Sequence, residues 1–192
     1  MTKPETILSL EEIARRLDRA GVVWAVFAGA AAAVYGATRP LTDVDILIPA
    51  AEGDRAADLF PGAPVKRDED GSMCGITLPN CDIVAGLARH EAGATYTGDL
   101  DDQMAARLTR HEIAGVTVPV IPPEDNILLK AMWGRGPEVG KHDWEDVTAM
   151  MAHLTTLDWP YLRWRADNWG PRNHMQQVLE RLEALWRVEG KA

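Results

Sequence analysis

The sequence has little cysteine and no long apolar segment. Its 192 residues include only Cys74 and Cys81, and such low usage is typical of a reducing compartment. Their spacing is not that of a zinc site, so we interpret them as two packed thiols on neighbouring strands. No apolar run approaches the roughly 20 residues that span a bilayer, and the charged beginning of the chain lacks a signal-peptide pattern. We therefore expect a cytoplasmic protein with no membrane association.

An excess of positive charge is also absent. The formal net charge is −9 at pH 7, and the isoelectric point is about 5.0. Because binding to DNA or RNA through phosphate attraction needs a basic surface, the composition argues against that class of protein. A local basic patch stays open, and Arg163, Arg165 and Arg172 are candidates for one. A nucleotide substrate also stays open, because it normally arrives with Mg²⁺, which offsets part of its charge.

Two common phosphate-binding motifs are missing from the sequence. No G-x-G-x-x-G dinucleotide fingerprint occurs. Gly140-Lys141 is followed by His142 rather than by Ser or Thr, and Arg135 stands where a P-loop has its first glycine. These features exclude the P-loop and Rossmann patterns as the basis of any phosphate binding.

The pattern of predicted elements indicates an α/β (α+β) core followed by helices. Ser9 and Glu12 form a capping box at the start of a helix that Gly21 ends. The further predicted elements are a strand Val22–Phe27, a helix Ala30–Tyr35, a strand Asp43–Ile48, a helix Ala51–Phe60, short strands within 63–87 with a turn at Asp70–Gly71, a loop Ala88–Asp99, a hairpin over Leu108–Ile121, a helix Glu124–Trp133, a helix from His142 or Asp143 to His153, and two helices within Trp159–Val188. We predict a core of residues 1–121 and a C-terminal helical part of residues 122–192.

Two carboxylates and a glycine turn are the candidate chemical features. Asp43 and Asp45 stand at the start of an apolar strand, where residues i and i+2 face the same side about 6 to 7 Å apart. Like charges so close repel each other, and a shared divalent cation is the simplest reason to tolerate them. Gly29 ends the preceding strand, and a glycine there lets backbone N–H groups approach an anion. The alternatives are a capped turn with one surface acid and an ordinary glycine turn.

These residues together carry a resemblance to a known family. The segment AGAAAAVYGATRPLTDVDILI (residues 28–48) is similar to a pattern of glycine and a small residue, a short helix, and then Arg, Thr and two alternating aspartates. Cys81-Asp82-Ile83, PVIPPEDNILLKAMWGR and KHDWEDV resemble later segments of the same family. The chain thus resembles the nucleotidyltransferase superfamily with the polymerase-β-like fold, and within it the minimal and AbiEii-type bacterial group.

The resemblance implies a mixed sheet, a reaction and a set of site residues. It implies Mg²⁺-dependent transfer of a nucleoside monophosphate from a nucleoside triphosphate to a hydroxyl acceptor (a small molecule, a protein or tRNA), with release of pyrophosphate. The implied metal is Mg²⁺, with Mn²⁺ as a second possibility. The residues it assigns to the metal and to catalysis are Asp43, Asp45 and Asp82. The residues it assigns to the nucleotide are Gly29, Ala30, Arg39, Thr42 and Lys130.

The sequence departs from the family pattern in ways that leave alternatives open. Ala30 has no hydroxyl to offer a phosphate, Thr42 comes one residue late, and His142 separates Lys141 from the next acid. A non-catalytic member that binds a nucleotide or a partner is therefore one alternative. The resemblance alone suggests another, a toxin that acts on tRNA and has an antitoxin partner.

Single residues also have alternative roles. Asp82 is alternatively an ordinary strand residue. Arg39 alternatively pairs with an acid and holds its loop, and Thr42 fixes the turn. Lys130 reaches the nucleotide or pairs with Asp143 or Asp146.

Overall fold

The computed structural model of the protein describes residues 8–69, 71, 73–91 and 94–191. The helices are α1 (Leu10–Ala20), α2 (Ala28–Val34), α3 (Gly53–Ala57), α4 (Asp102–Ala105), α5 (Pro123–Trp133), α6 (Asp143–His153), α7 (Trp159–Trp169) and α8 (Arg172–Val188). The strands are β1 (Ala25–Phe27), β2 (Val44–Ile48), β3 (Val65–Arg67), β4 (Met73–Leu78), β5 (Cys81–Ala85), β6 (Leu87–Glu91), β7 (Ala94–Gly98), β8 (Thr109–Ile113) and β9 (Val116–Val120). Within these residues no helix is both long and apolar enough to cross a membrane.

A mixed sheet forms the centre of the fold. In the described residues it has seven strands in the order β3-β4-β5-β2-β1-β9-β8. Strand β2 runs antiparallel to β1 and parallel to β5, and β1 runs parallel to β9. Strands β6 and β7 form a separate two-stranded sheet. The predicted α/β fold with a mixed sheet is confirmed, and β2, the strand that carries Asp45, lies near the middle of the sheet.

Local sequence signals set several helix ends. The Ser9 hydroxyl accepts a hydrogen bond from the Glu12 backbone N–H at 3.2 Å, and Gly21 ends α1 in the left-handed conformation with φ of 66°, as glycine does without strain. Pro123 begins α5, where its missing N–H has no helical partner to lose. The predicted α1, α5, α6 and hairpin β8–β9 are confirmed within a residue or two.

Three predicted segments differ in the structure. The prediction of a loop over Ala88–Asp99 is wrong, because β6 and β7 pair there as an antiparallel hairpin. The hairpin lies outside the main sheet, so its strands lack the apolar alternation that burial on a sheet face produces. Helix α2 begins two residues earlier than predicted, and the helix expected over Ala51–Phe60 is reduced to a short turn and α3. The predicted turn at Asp70–Gly71 includes Asp70, which lies outside the described residues.

Helix α5 joins the sheet and the C-terminal helices. Nine of its residues are buried, from Glu124 to Met132, and it packs against α2, α6, α7 and α8. Buried side chains of the sheet and of these helices belong to one hydrophobic cluster. The boundary at residue 121 stays a prediction, since the two parts share this core.

A buried arginine connects three of these helices. The guanidinium of Arg165 on α7 donates to both carboxylate oxygens of Asp101 at 2.5 and 2.7 Å, and Asp101 caps α4. Its Nε lies 2.8 Å from Asp125 on α5, and the side chain is only 1% exposed. Because a buried charge is tolerated only when it is paired, these ion pairs give Arg165 a structural role in the core. The expectation that it contributes to a surface basic patch is wrong.

We expect Gly36→Ala to destabilise the fold by about 3 kcal/mol, because two costs add. Gly36 has φ of 112°, and an added Cβ would lie 2.3 Å from the Cβ of His153 on α6. Gly62→Ala is the matched control, since Gly62 has φ of 87° but no atom within 4 Å of the added Cβ. The control should lose only about 1 kcal/mol. Urea unfolding of both variants measures the difference, and equal losses would contradict the contact with His153.

Candidate metal and nucleotide site

The strand register brings two predicted acids together. Strands β2 and β5 are parallel, and Asp45 pairs with Asp82 across them. Directly paired residues on neighbouring strands have their side chains on the same face of the sheet, about 5 Å apart. Asp45 also pairs with Phe27, the last residue of β1. The two carboxylates therefore lie side by side next to the end of β1, where the glycine turn follows.

Asp43 is the third acid at this point. It is exposed and directly precedes β2, and its Oδ1 accepts a hydrogen bond from the Thr42 hydroxyl at 3.0 Å. Burial, then the charge of Asp43 and then that of Asp82 raise the pKa of Asp45 to about 6, while Lys141 and Lys130 oppose the shift. Because these effects act through space, the three acids and two lysines share one electrostatic environment.

The donor set at this point fits a hard divalent cation. Carboxylate oxygens are the ligands that Mg²⁺ prefers. In the described part of the chain, Asp82 Oδ1 is a buried oxygen without a hydrogen-bond partner, and a bound cation would satisfy it. As the side chains stand, the described residues include no group of three or more His, Cys, Asp or Glu arranged to hold a metal ion. The acids are therefore of the type that binds a hard cation, but their side chains do not converge on one point.

The first turn of α2, which follows β1 directly, lies beside the acids and under an arginine. A Cβ added at Gly29 would lie 3.5 Å from Arg39 Nη2, so the guanidinium of Arg39 covers this turn. The Ala30 methyl group is 1% exposed and belongs to the core. This part of the chain can thus offer an anion the backbone N–H groups of the turn and the guanidinium of Arg39.

Behind the turn lies a network of ion pairs. The Lys130 ammonium is 2.8 Å from Asp146 and 3.3 Å from Asp143. Asp146 also contacts Arg39 at 3.3 Å, and Asp143 contacts Arg135 at 2.8 Å. The Lys130 side chain is 7% exposed. This geometry supports the ion-pair alternative for Lys130 and for Arg39, whereas their contact with a nucleotide stays a prediction.

Sequence reasoning missed one polar residue at the site. Asn126 on α5 is fully buried, and its Nδ2 donates a hydrogen bond to the Ala28 carbonyl oxygen at 3.1 Å. The available signal was a single amide within the apolar stretch that follows Asp125. An isolated buried amide usually has a specific partner, but the sequence does not reveal which one.

A known protein family matches most of the chain. The family model described as "Uncharacterised nucleotidyltransferase" matches residues 5–187. The chain belongs to this family. The predicted nucleotidyltransferase superfamily is thereby confirmed, whereas the AbiEii-type group stays a prediction. No curated protein matches the chain.

Solved structures show the same fold. A candidate nucleotidyltransferase from Thermotoga maritima has a TM-score of 0.51 at 20% identity, over 72% of this chain and 91% of the other. ANT(2″)-Ia, solved in complex with adenylyl-2″-tobramycin, has a TM-score of 0.54 at 13% identity, over 91% of this chain and 95% of the other. At these identities the comparison supports the fold of this nucleotidyltransferase.

We expect Lys130→Met to cost about 3 kcal/mol of unfolding free energy, because it removes the buried cation that two buried carboxylates share and leaves them only the more exposed Arg39 and Arg135. Lys66→Met is the matched control, since Lys66 is exposed on strand β3. Its effect should stay within about 0.5 kcal/mol. Urea unfolding measures both variants, and a similar small effect in both would contradict the structural role of Lys130.

The raised pKa of Asp45 predicts a pH-dependent stability. Protonated Asp45 favours the folded state, so its contribution is fully present below the unfolded pKa of 3.8 and is lost as the pH rises through about 6. Asp45→Asn should therefore gain stability over the wild type between about pH 4 and pH 7, up to about 3 kcal/mol. Unfolding in EDTA measures the difference, since no divalent cation then offsets the charge. A difference that does not change with pH would contradict this expectation.

Proposed function

We propose that this nucleotidyltransferase moves a nucleoside monophosphate from a nucleoside triphosphate to a hydroxyl group, with Mg²⁺ as cofactor and pyrophosphate as the second product. The observation that carries the proposal is the register of β2 and β5, which sets Asp45 and Asp82 side by side. Asp43 adds a third carboxylate from the same strand region. Such a set of acids costs stability in the free protein, and this cost is consistent with a functional role.

Asp43, Asp45 and Asp82 would hold Mg²⁺, with Mn²⁺ as a substitute. The bound cation supplies charge neutralisation for the phosphates during an in-line displacement. Asp82 would also accept the proton of the attacking hydroxyl, a role supported by its Oδ1 atom, which has no hydrogen-bond partner in the described residues. A bond forms between the acceptor oxygen and the α-phosphorus, and the bond to the β-phosphate oxygen breaks as pyrophosphate leaves.

The triphosphate would lie against the turn that follows β1. The backbone N–H groups of Gly29 and Ala30 would donate to phosphate oxygens, and the Arg39 guanidinium would neutralise their charge. The Arg39 side chain is 37% exposed, so it can reach a ligand while its ion pair to Asp146 holds it in place. Thr42 orients Asp43 through its hydrogen bond. Lys130 would not contact the nucleotide, and its positive charge would instead lower the pKa of Asp45.

A small hydroxylated molecule is the best-supported acceptor. ANT(2″)-Ia, which shares the fold, was solved with an adenylylated antibiotic. The net charge of −9 disfavours a large polyanionic acceptor, so a toxin that acts on tRNA, with its antitoxin partner, is the weaker proposal. We also propose that the protein acts in the cytoplasm, where nucleoside triphosphates are available.

A non-catalytic nucleotide-binding protein is the second candidate. It is favoured by Ala30, whose buried methyl group offers no hydroxyl to a phosphate. Calorimetry with each nucleoside triphosphate, with and without Mg²⁺, separates the two candidates. Binding that does not need Mg²⁺ and gives no product would favour the second candidate.

The enzymatic proposal predicts that Asp45→Asn lowers nucleotidyl transfer by at least about a hundredfold, because the carboxylate that holds the cation is lost. Purified protein with α-labelled nucleoside triphosphates, Mg²⁺ and a library of hydroxylated small molecules measures the transfer of label. Asp54→Asn is the control, since the Asp54 side chain is 75% exposed and pairs with Arg67 instead. Equal labelling by Asp45→Asn and the wild type would contradict the proposal.

A further inference from the structure

The turn beside the acids is held in a strained conformation. Ala28 has φ of 55°, a region that residues with a Cβ rarely adopt. In the described residues Ala114, with φ of 51° in the β8–β9 turn, is the other non-glycine residue with a positive φ. Strain of this kind persists only where surrounding contacts impose it. The contacts of Ala28 therefore identify what holds the turn.

Asn126 makes such a contact. Its amide group donates to the Ala28 carbonyl oxygen at 3.1 Å, and its side chain is fully buried. The Oδ1 atom of the same amide has no hydrogen-bond partner in the described residues. A buried acceptor without a partner destabilises the folded state, so an apolar residue would serve packing better at this position. The amide is therefore explained by its bond to Ala28, because its other contact, from Nδ2 to the Met150 sulfur at 3.6 Å, is to a weak acceptor.

The strained turn lies where the proposed function needs it. Phe27, the residue before Ala28, pairs with Asp45, and Arg39 lies over Gly29, the residue after it. The φ of Ala28 sets the direction in which the chain leaves β1, and hence where the next backbone N–H groups point. A change at Ala28 would move these groups relative to the acids.

We propose that Asn126 is a positioning residue for nucleotide binding, which acts by holding Ala28 in its left-handed conformation through the Nδ2 hydrogen bond. The proposal rests on the proposed function, since it assumes that the triphosphate binds at the Ala28–Gly29 turn. Asn126 itself does not touch the nucleotide. Its effect on binding passes through the backbone of Ala28.

This mechanism makes a specific prediction about rescue. Asn126→Ala should weaken binding of nucleoside triphosphate with Mg²⁺ by about tenfold, because the turn relaxes from its strained form. Adding Ala28→Gly should restore binding to within about twofold of the wild type, because glycine adopts a positive φ without strain. Calorimetry with the four common ribonucleoside triphosphates measures the affinities. Asn126→Ser, whose side chain is one bond shorter, replaces the alanine variant if that one does not fold.

Ala114→Gly is the matched control. It relieves the same kind of strain at a turn remote from the acids, so it should raise stability without restoring binding to Asn126→Ala. Rescue by Ala28→Gly alone supports the proposal. Unchanged binding in Asn126→Ala, no rescue by Ala28→Gly, or equal rescue by Ala114→Gly would overturn it.

A second measurement separates this proposal from the proposed function. If the wild type binds no nucleoside triphosphate, the proposed function fails, and urea unfolding still tests the coupling of Asn126 to Ala28. The loss of stability in Asn126→Ala should be smaller in the Ala28→Gly background than in the wild type, because the two residues act on one backbone conformation. Equal losses in both backgrounds would overturn the role of Asn126.

Discussion

The repulsion between two carboxylates on neighbouring parallel strands is the constraint on which this site depends. The pairing of Asp45 with Asp82 is fixed by the register of β2 and β5, and a slip by one residue would turn one side chain to the other face. Apolar neighbours in β2, such as Ile46 and Leu47, are fully buried and lock that register. The hydrophobic core thus enforces an electrostatic arrangement that the free protein would otherwise relax.

The positive charges that offset this repulsion come mostly from outside the sheet. Arg39, Lys130 and Arg135 bring three formal positive charges to Asp143 and Asp146. Of the nearby cations, Lys141 and then Lys130 lower the pKa of Asp45. Helix α5 therefore does more than cover the sheet, because its Lys130, together with Lys141 in the loop before α6, supplies positive charge near the acids.

Local patterns in the sequence predicted the elements that local chemistry decides. The cap of α1 by Ser9 and its end at Gly21 act within a few residues, and both are found as expected. The partners of Lys130 depend on contacts between distant segments, whereas the β6–β7 hairpin is local but lacks the apolar alternation that predicts a strand. Asp143 and Asp146 stand three residues apart with the same side chain, so only the packing of α5 on α6 shows that Lys130 reaches both.

Helix α5 shows why the site and the helical part form one structural unit. Asn126 and Lys130 are four residues apart and so lie on one face of the helix. Asn126 holds the Ala28 turn, and Lys130 holds Asp146, which in turn holds Arg39. Asp125 pairs with Arg165 on α7. Since α5 is buried on nearly all sides, these polar contacts, rather than an apolar face, fix its rotation. The same contacts that orient α5 in the core therefore set the turn and the arginine beside the acids.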